Sequence, residues 1–141
     1  MKVIGFNFTK ISVEKKSENP GKIKFNTKID ISSIEPLKSD LLKSKDELFK
    51  VDFFYGVTYE PNFAKLELNG EIIMAVEPKI AREITKDWKD KKTSDDLRVF
   101  LFNVILRKSN IKSLQMEDEL NLPPHIPLPS INKGNLQEKK E

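Results

Sequence analysis

The sequence predicts an α+β domain in which four strands precede two helices. Three observations predict it. Apolar and polar residues alternate with a period of two through the first half of the chain. The second half spaces its apolar residues by three and four. Between the runs lie clusters of Pro, Gly, Asn and Ser that suit reversals of the chain. A length of 141 residues with 38% hydrophobic side chains suits one domain with its own core. Residues 1–131 are read as that domain, and the polar stretch 132–141 as a disordered tail.

Residues 3–13 form the first strand, where Ile4, Phe6 and Phe8 alternate before the phase shifts to Ile11 and Val13. A phase change inside one run predicts a bulge near Thr9 and Lys10, because the pleat repeats every two residues. Ser17-Glu18-Asn19-Pro20-Gly21 turns the chain. The second strand spans 22–31, through Ile23, Phe25, Thr27, Ile29 and Ile31. Residues 33–46, with Pro36 and many polar side chains, read as a connection in which Leu37, Leu41 and Leu42 make a short covering turn.

The third strand is the strongest signal. Phe49, Val51, Phe53, Tyr55, Val57 and Tyr59 share one side, and Lys50, Asp52, Thr58 and Glu60 the other. Phe54 is an apolar exception on the polar side. After Pro61-Asn62, residues 63–76 place Ala64, Leu66, Leu68, Ile72 and Met74 on one face. Asn69-Gly70 inside this run has two readings: a two-residue type I′ hairpin between very short strands, or a glycine irregularity in one long strand. The dipeptide alone favours the hairpin.

Pro78 suits a first helical position, and Ile80, Ile84 and Trp88 follow at four-residue spacing, with Ala81 and Thr85 beside them. Lys91 and Lys92 complement the C-terminal end of the dipole. Thr93-Ser94-Asp95-Asp96 opens a second helix through a capping box, running to about residue 117. Between Leu97 and Leu106 its residues are apolar except for Arg98 and Asn103. At about 100° per residue these positions cover nearly the whole circumference, and such a helix must be buried all round. One sheet covers one side, so Val99, Phe100, Phe102 and Ile105 are candidates for contact with a second copy of the chain. The alternative is a helix clasped by the first helix and the 33–46 loop.

Composition removes much chemistry. The chain has no Cys, which excludes disulfides, thiolate metal sites and cysteine nucleophiles, and fits a cytoplasmic setting. Its one His, His125, has no acid or Ser beside it in sequence and reads as an exposed or packed residue rather than a catalytic one. Asp95-Asp96 and Glu117-Asp118-Glu119 read as helix-end or solvated charges rather than an acid/base pair. The five Gly are scattered with no phosphate-binding pattern. No catalytic site, metal or cofactor is expected. Net charge is +3, but the Lys are interleaved with acids and only Arg82, Arg98 and Arg107 are Arg, so no nucleic-acid face is expected. No stretch approaches the roughly 18 apolar residues of a membrane span, so no membrane insertion is expected. The segment Leu120–Pro129 holds four of the eight Pro and is extended. It reads as a strap packed back over a helix or sheet, which also allows it to wall a groove.

Three stretches resemble the SecB family of protein-export chaperones. "FNFTKISVEKK" is similar to that family's first strand, "LELNGEIIMAV" to its long glycine-interrupted fourth strand, and "LNLPPHIPLPSI" to the Leu- and Pro-containing segment after its long helix. With the order of elements, the resemblance covers roughly residues 4–131. It implies a four-stranded antiparallel sheet with the helices on one face and a tetramer built as a dimer of dimers. It also implies that Asn69-Gly70 sits within one irregular strand. The family's second C-terminal helix is not expected in the short polar stretch that follows the proline segment.

The resemblance further implies an ATP-independent holdase for unfolded or pre-secretory polypeptides, held in grooves of exposed apolar side chains. Phe54, Phe63, Trp88, Ile126, Leu128 and Ile131 are the groove candidates, each equally readable as ordinary core. Phe54 and Phe63 break the polar side of their strands, and the others lie on or beside the proline segment. Glu67 matches an acid of the outer sheet face that the family offers to the motor ATPase of secretion. Lys50 and Lys65 dilute that acidic surface, so the receiver of clients is open. A chaperone dedicated to one partner, such as an antitoxin, is a variant within the class; a nucleic-acid-binding oligomer is the reading outside it.

Overall fold

Period-two alternation becomes four long strands in the computed structural model, which describes residues 1–17, 21–38 and 45–134. They are β1 (Lys2–Lys15), β2 (Lys24–Leu37), β3 (Glu47–Glu60) and β4 (Ala64–Val76). Two helices follow, α1 (Pro78–Trp88) and α2 (Asp95–Glu119). All neighbouring strands are antiparallel, in the order β1-β4-β3-β2. The most apolar strands are therefore the central pair, and the more polar β1 and β2 form the edges.

One face of the sheet is closed by the helices. On β3 the side chains of Phe49, Val51, Phe53, Tyr55, Val57 and Tyr59 are all buried, joined from β4 by Leu66, Leu68, Ile72, Met74 and Val76. From the helices, Ala81, Ile84, Leu97, Leu101 and Ile105 complete this core. Leu101 and Ile105 are fully buried, and each such side chain contributes roughly 1.5–3 kcal/mol by leaving water. Ser94 caps α2, its hydroxyl accepting from the Leu97 amide at 3.2 Å. α1 carries Pro at its start, as its sequence requires.

Asn69-Gly70 is not a hairpin. Both residues are paired on each side, Asn69 with Phe54 and Lys10, Gly70 with Phe53 and Phe8. Because Leu66, Leu68, Ile72 and Met74 keep the same parity across the pair, β4 continues without a change of face. The glycine is there for space: a Cβ at Gly70 would stand 2.5 Å from Cζ of Phe53 and 2.8 Å from the Asn7 carbonyl oxygen. A large ring on the neighbouring strand dictates a missing side chain here, not turn geometry.

Other boundaries shift for local reasons. The expected bulge on β1 lies between Phe8 and Lys10, and a second, between Val3 and Gly5, brings Val3 rather than Ile4 opposite Met74. β2 does not end at residue 31. A bulge between Ile31 and Ser33 lets the strand run on through Ile34 and Pro36, which pair with Val51 and Phe49. Proline is tolerated there because β2 is an edge strand. Thus 33–37 is strand rather than connection, while Leu41, Leu42, residues 18–20 of the 17–21 turn and residues 135–141 of the 132–141 tail lie outside the described residues.

α2 is not enclosed all round within the subunit. Its buried stripe is Leu97, Leu101, Ile105, Ser109, Ser113 and Glu117, at four-residue steps. Phe100, Phe102, Val104 and Leu106 are half-buried along its flanks, and Val99 and Ile111 are 60% and 63% exposed. Ile105 therefore faces the subunit's own sheet, whereas Val99 faces outward. Among the described residues, no helix is long and apolar enough to cross a membrane.

Candidate functional site

The buried stripe of α2 changes character halfway, from Leu97, Leu101 and Ile105 to Ser109, Ser113 and Glu117. Its polar half meets the only two tyrosines of the chain, Tyr55 and Tyr59, on the core side of β3. Buried polar groups need partners, and most find them here. Tyr59 donates its hydroxyl to Glu117 Oε2. Tyr55 donates to Asn110 Oδ1 at 2.8 Å and stands 2.9 Å from His125 Nε2. His125 Nδ1 lies 2.8 Å from Glu117 Oε1. A carboxylate only accepts, so Nδ1 carries the proton donated to it.

Burial pushes the Tyr55 phenol up to about 12; the Ser113 hydroxyl opposes this and the Glu117 charge adds to it. Tyr59 is pushed up further, first by burial and then by its hydrogen bond to Glu117 and the charge of that carboxylate. Both phenols therefore stay protonated at neutral pH. The His125 and Glu117 side chains are 2% and 1% exposed, so no substrate reaches this dyad as it stands. Its effect is to fasten the proline segment. The chain leaves α2 with Asn121 in the left-handed region (φ 55°), and the Leu122 amide returns to the Glu117 carbonyl at 2.8 Å. Leu122 is then buried and His125 is carried back against β3.

Glu117 is thus not a solvated helix-end charge, and His125 is not without an acid. The turn after α2 supplies the proximity that linear sequence hides. The available signal was the four-residue step itself, which continues from Leu97 through Glu117 and so puts Glu117 on the buried face.

Two larger clefts flank the helical layer. One, of about 610 Å³, lies where the α1–α2 corner meets β2, with Ile31, Trp88, Phe102, Lys91, Lys92 and Arg98 among its walls. The other, of about 590 Å³, includes Lys15, Ile23, Phe63, Leu122 and Pro123. A smaller apolar hollow of about 210 Å³ separates Trp88 and Ile84 from Ile34 and Phe49. On the β1 side, Phe6 and Phe8 are half-buried and meet edge to face at 5.0 Å, with Lys108 Nζ 5.7 Å above the Phe6 ring.

The structure brings Trp88 and Phe102 together in the first cleft. Phe54 lies on the opposite face of the sheet, its ring so close over Gly56 that a Cβ there would stand 2.8 Å from it. Phe63 sits in the β3–β4 turn rather than on a strand and is 2% exposed, because the turn tucks its ring beside Tyr59. Ile126 is half-buried, and Leu128 and Ile131 are exposed along the strap. Phe100 is half-buried on α2. Glu67 lies on the outer face with Lys65 Nζ at 3.6 Å, and Glu71 there pairs with Lys50 at 3.7 Å. That face is mixed in charge. Phe6, Phe8 and Ile31, which sequence reading assigned only to strands, prove to be apolar groups left half-covered by the helices.

The fold, four antiparallel strands followed by two helices, is SecB-like. No protein-family model matches the chain, and no curated protein does. Among solved structures it is similar to the SecB-like chaperone Rv1957 of Mycobacterium tuberculosis, in complex with a ChAD peptide from the Rv1956 HigA1 antitoxin. The likeness spans 94% of this chain and 91% of that one at a TM-score of 0.51, with 8% identity. At that identity the likeness is one of architecture.

Proposed function

We propose that this protein is a chaperone that holds extended, unfolded polypeptide segments without using nucleotide, acting in the cytoplasm as a homo-oligomer. One observation carries the reading. α2 packs over the middle of the sheet and leaves the helix-side faces of both edge strands half-covered, with Phe6 and Phe8 on one flank and Ile31, Phe102 and Trp88 on the other. Apolar contact is non-directional and scales with area, so such strips suit clients of many sequences. Edge-strand backbone beside each strip can pair with an extended segment. Exposed Val99 and Ile111 on the outward side of α2 support contact between subunits, for which a dimer of dimers is the proposed arrangement.

A second reading within the class has its own support, since Rv1957 is seen with an antitoxin peptide. Here the client would be one dedicated partner. Light scattering with and without a reduced, unfolded polypeptide tests the main reading: an oligomer whose mass rises on addition is expected, and a monomer that ignores the polypeptide overturns it. Several unrelated unfolded proteins should be kept from aggregating, and Phe6→Ser with Phe8→Ser should weaken that protection. Protection confined to a single partner would favour the dedicated chaperone.

A further inference from the structure

We propose that the cleft between the α1–α2 corner and edge strand β2 binds an extended polypeptide segment that is acidic as well as apolar. The proposal rests on the chaperone reading for the polypeptide nature of its occupant and adds a preference for charge. The floor of the cleft is Ile31, Trp88 and Phe102, all half-buried. Around it stand Lys91, Lys92 and Arg98 against one carboxylate, Asp30. Three cations less one anion leave a local excess of two positive charges, whereas the outer face pairs its lysines with Glu67 and Glu71. Apolar floor and cationic rim together match a segment in which aromatic or aliphatic side chains are interspersed with Asp or Glu.

The corner is built to present these cations. Lys91 has φ 57°, in the left-handed region that helix ends normally give to glycine. Its amide bonds to the Trp88 carbonyl at 2.9 Å, and the Lys92 amide to the Asp87 carbonyl at 3.1 Å. A residue with a Cβ is disfavoured in this conformation, so backbone economy does not explain a lysine here. What the lysine gains is position: its Nζ lies 4.9 Å from the centre of the Trp88 ring, at the mouth of the cleft. The opposite wall is β2 at its bulge, where the Ser32 hydroxyl bonds to the Asp52 carbonyl at 3.1 Å. Among the described residues β2 ends the sheet order, so its outer edge can take an added strand.

The same cations would attract a nucleic acid, but two features favour a peptide. Lys91 already caps a face of the Trp88 ring, which takes that face from a stacking base. Asp30 on the wall can accept from a peptide amide, a donor that a phosphodiester backbone lacks.

Trp88 is the only tryptophan of the chain, so its fluorescence reads the cleft directly. The full-length protein is titrated with three short peptides of one apolar pattern carrying Glu, Gln or Lys between the apolar residues. The Glu peptide should shift Trp88 emission and bind roughly tenfold tighter than the Gln peptide at low salt, an advantage that salt removes. Lys91→Glu with Arg98→Glu should abolish that advantage and reverse the ranking, so that the Lys peptide binds more tightly than the Glu peptide. Lys91→Gly relieves the backbone, so it should unfold no more easily than the parent and yet bind the Glu peptide more weakly. Equal binding of the Glu and Lys peptides, or unmoved Trp88 emission, overturns the proposal. So does an oligothymidylate that competes as well as the Glu peptide, or burial of Trp88 by self-association alone. Loss of neutral-client protection in the parent protein would instead count against the chaperone reading, and the peptide ranking is read separately from it.

Discussion

His125 Nδ1 stands 2.8 Å from Glu117 Oε1, across a helix terminus and eight positions of sequence. The pair joins the proline segment to α2, and through Tyr55 and Tyr59 to the central strand β3. Its value is conditional on completeness. Each member is buried where water cannot replace a lost partner, so removing one exposes the cost of the others.

His125→Ala leaves the Glu117 carboxylate buried with one oxygen unpartnered. Urea denaturation should show a loss of about 1–3 kcal/mol. Amide exchange at Leu122 and Ile126 should quicken by more than it does across β3, because the strap loses its fastening first. Uniform quickening would mean that the histidine only fills space.

Gly70→Ala should be destabilising by about 1–3 kcal/mol, as overpacking in a core usually is. Phe53→Leu in the same chain removes the ring atoms 2.5 and 2.7 Å from the new Cβ but not the Asn7 carbonyl oxygen at 2.8 Å. The double variant should therefore cost less than the sum of the two single variants without returning to parental stability. Chemical denaturation of all four proteins measures the coupling.

Stability should fall as pH rises from about 10 to about 12. The Tyr55 phenol titrates near 10 when unfolded and is pushed up to about 12 in the fold. Between those values the native state holds more protons than the unfolded state, so its advantage, complete below 10, is lost on the way to 12. Tyr59, shifted the same way, extends the loss to higher pH. Tyr55→Phe should flatten the slope in that window, as followed by urea midpoints at successive pH values.

The Ser109 hydroxyl is fully buried and finds no hydrogen-bond partner among the described residues. Ser109→Ala removes a polar group that left water without compensation and places a better helix former in α2. A gain of about 1 kcal/mol in urea denaturation is expected. A loss would reveal a partner for that hydroxyl.

Much of the architecture was legible because it is local. Alternation marked the strands, Pro78 and Ser94 marked the helix starts, and the phase change after Phe8 marked a bulge. What stayed hidden depends on neighbours distant in sequence. Asn69-Gly70 carries the residues of a hairpin, yet two strands pair with it and a ring fills the space above it. Phe54, an exception by pattern, found its reason in Gly56 two residues on. Phe63 was misplaced by extending strand alternation into a turn. The apolar helix was expected to be buried all round, but which of its positions turn inward depended on where the sheet lies.

The sequence by itself determined the order of elements, the strongly apolar face of the third strand and the surplus of apolar side chains beyond one small core. Those follow from periodicity and composition, which act over a few residues. Only the tertiary structure decided that Glu117 and His125 are a buried pair and that Trp88 and Phe102 share a cleft rimmed by Lys91, Lys92 and Arg98. The physical reason is that burial and charge are properties of the space around a residue. That space is made by the return of the proline strap and the bulge of β2, which no local pattern announces.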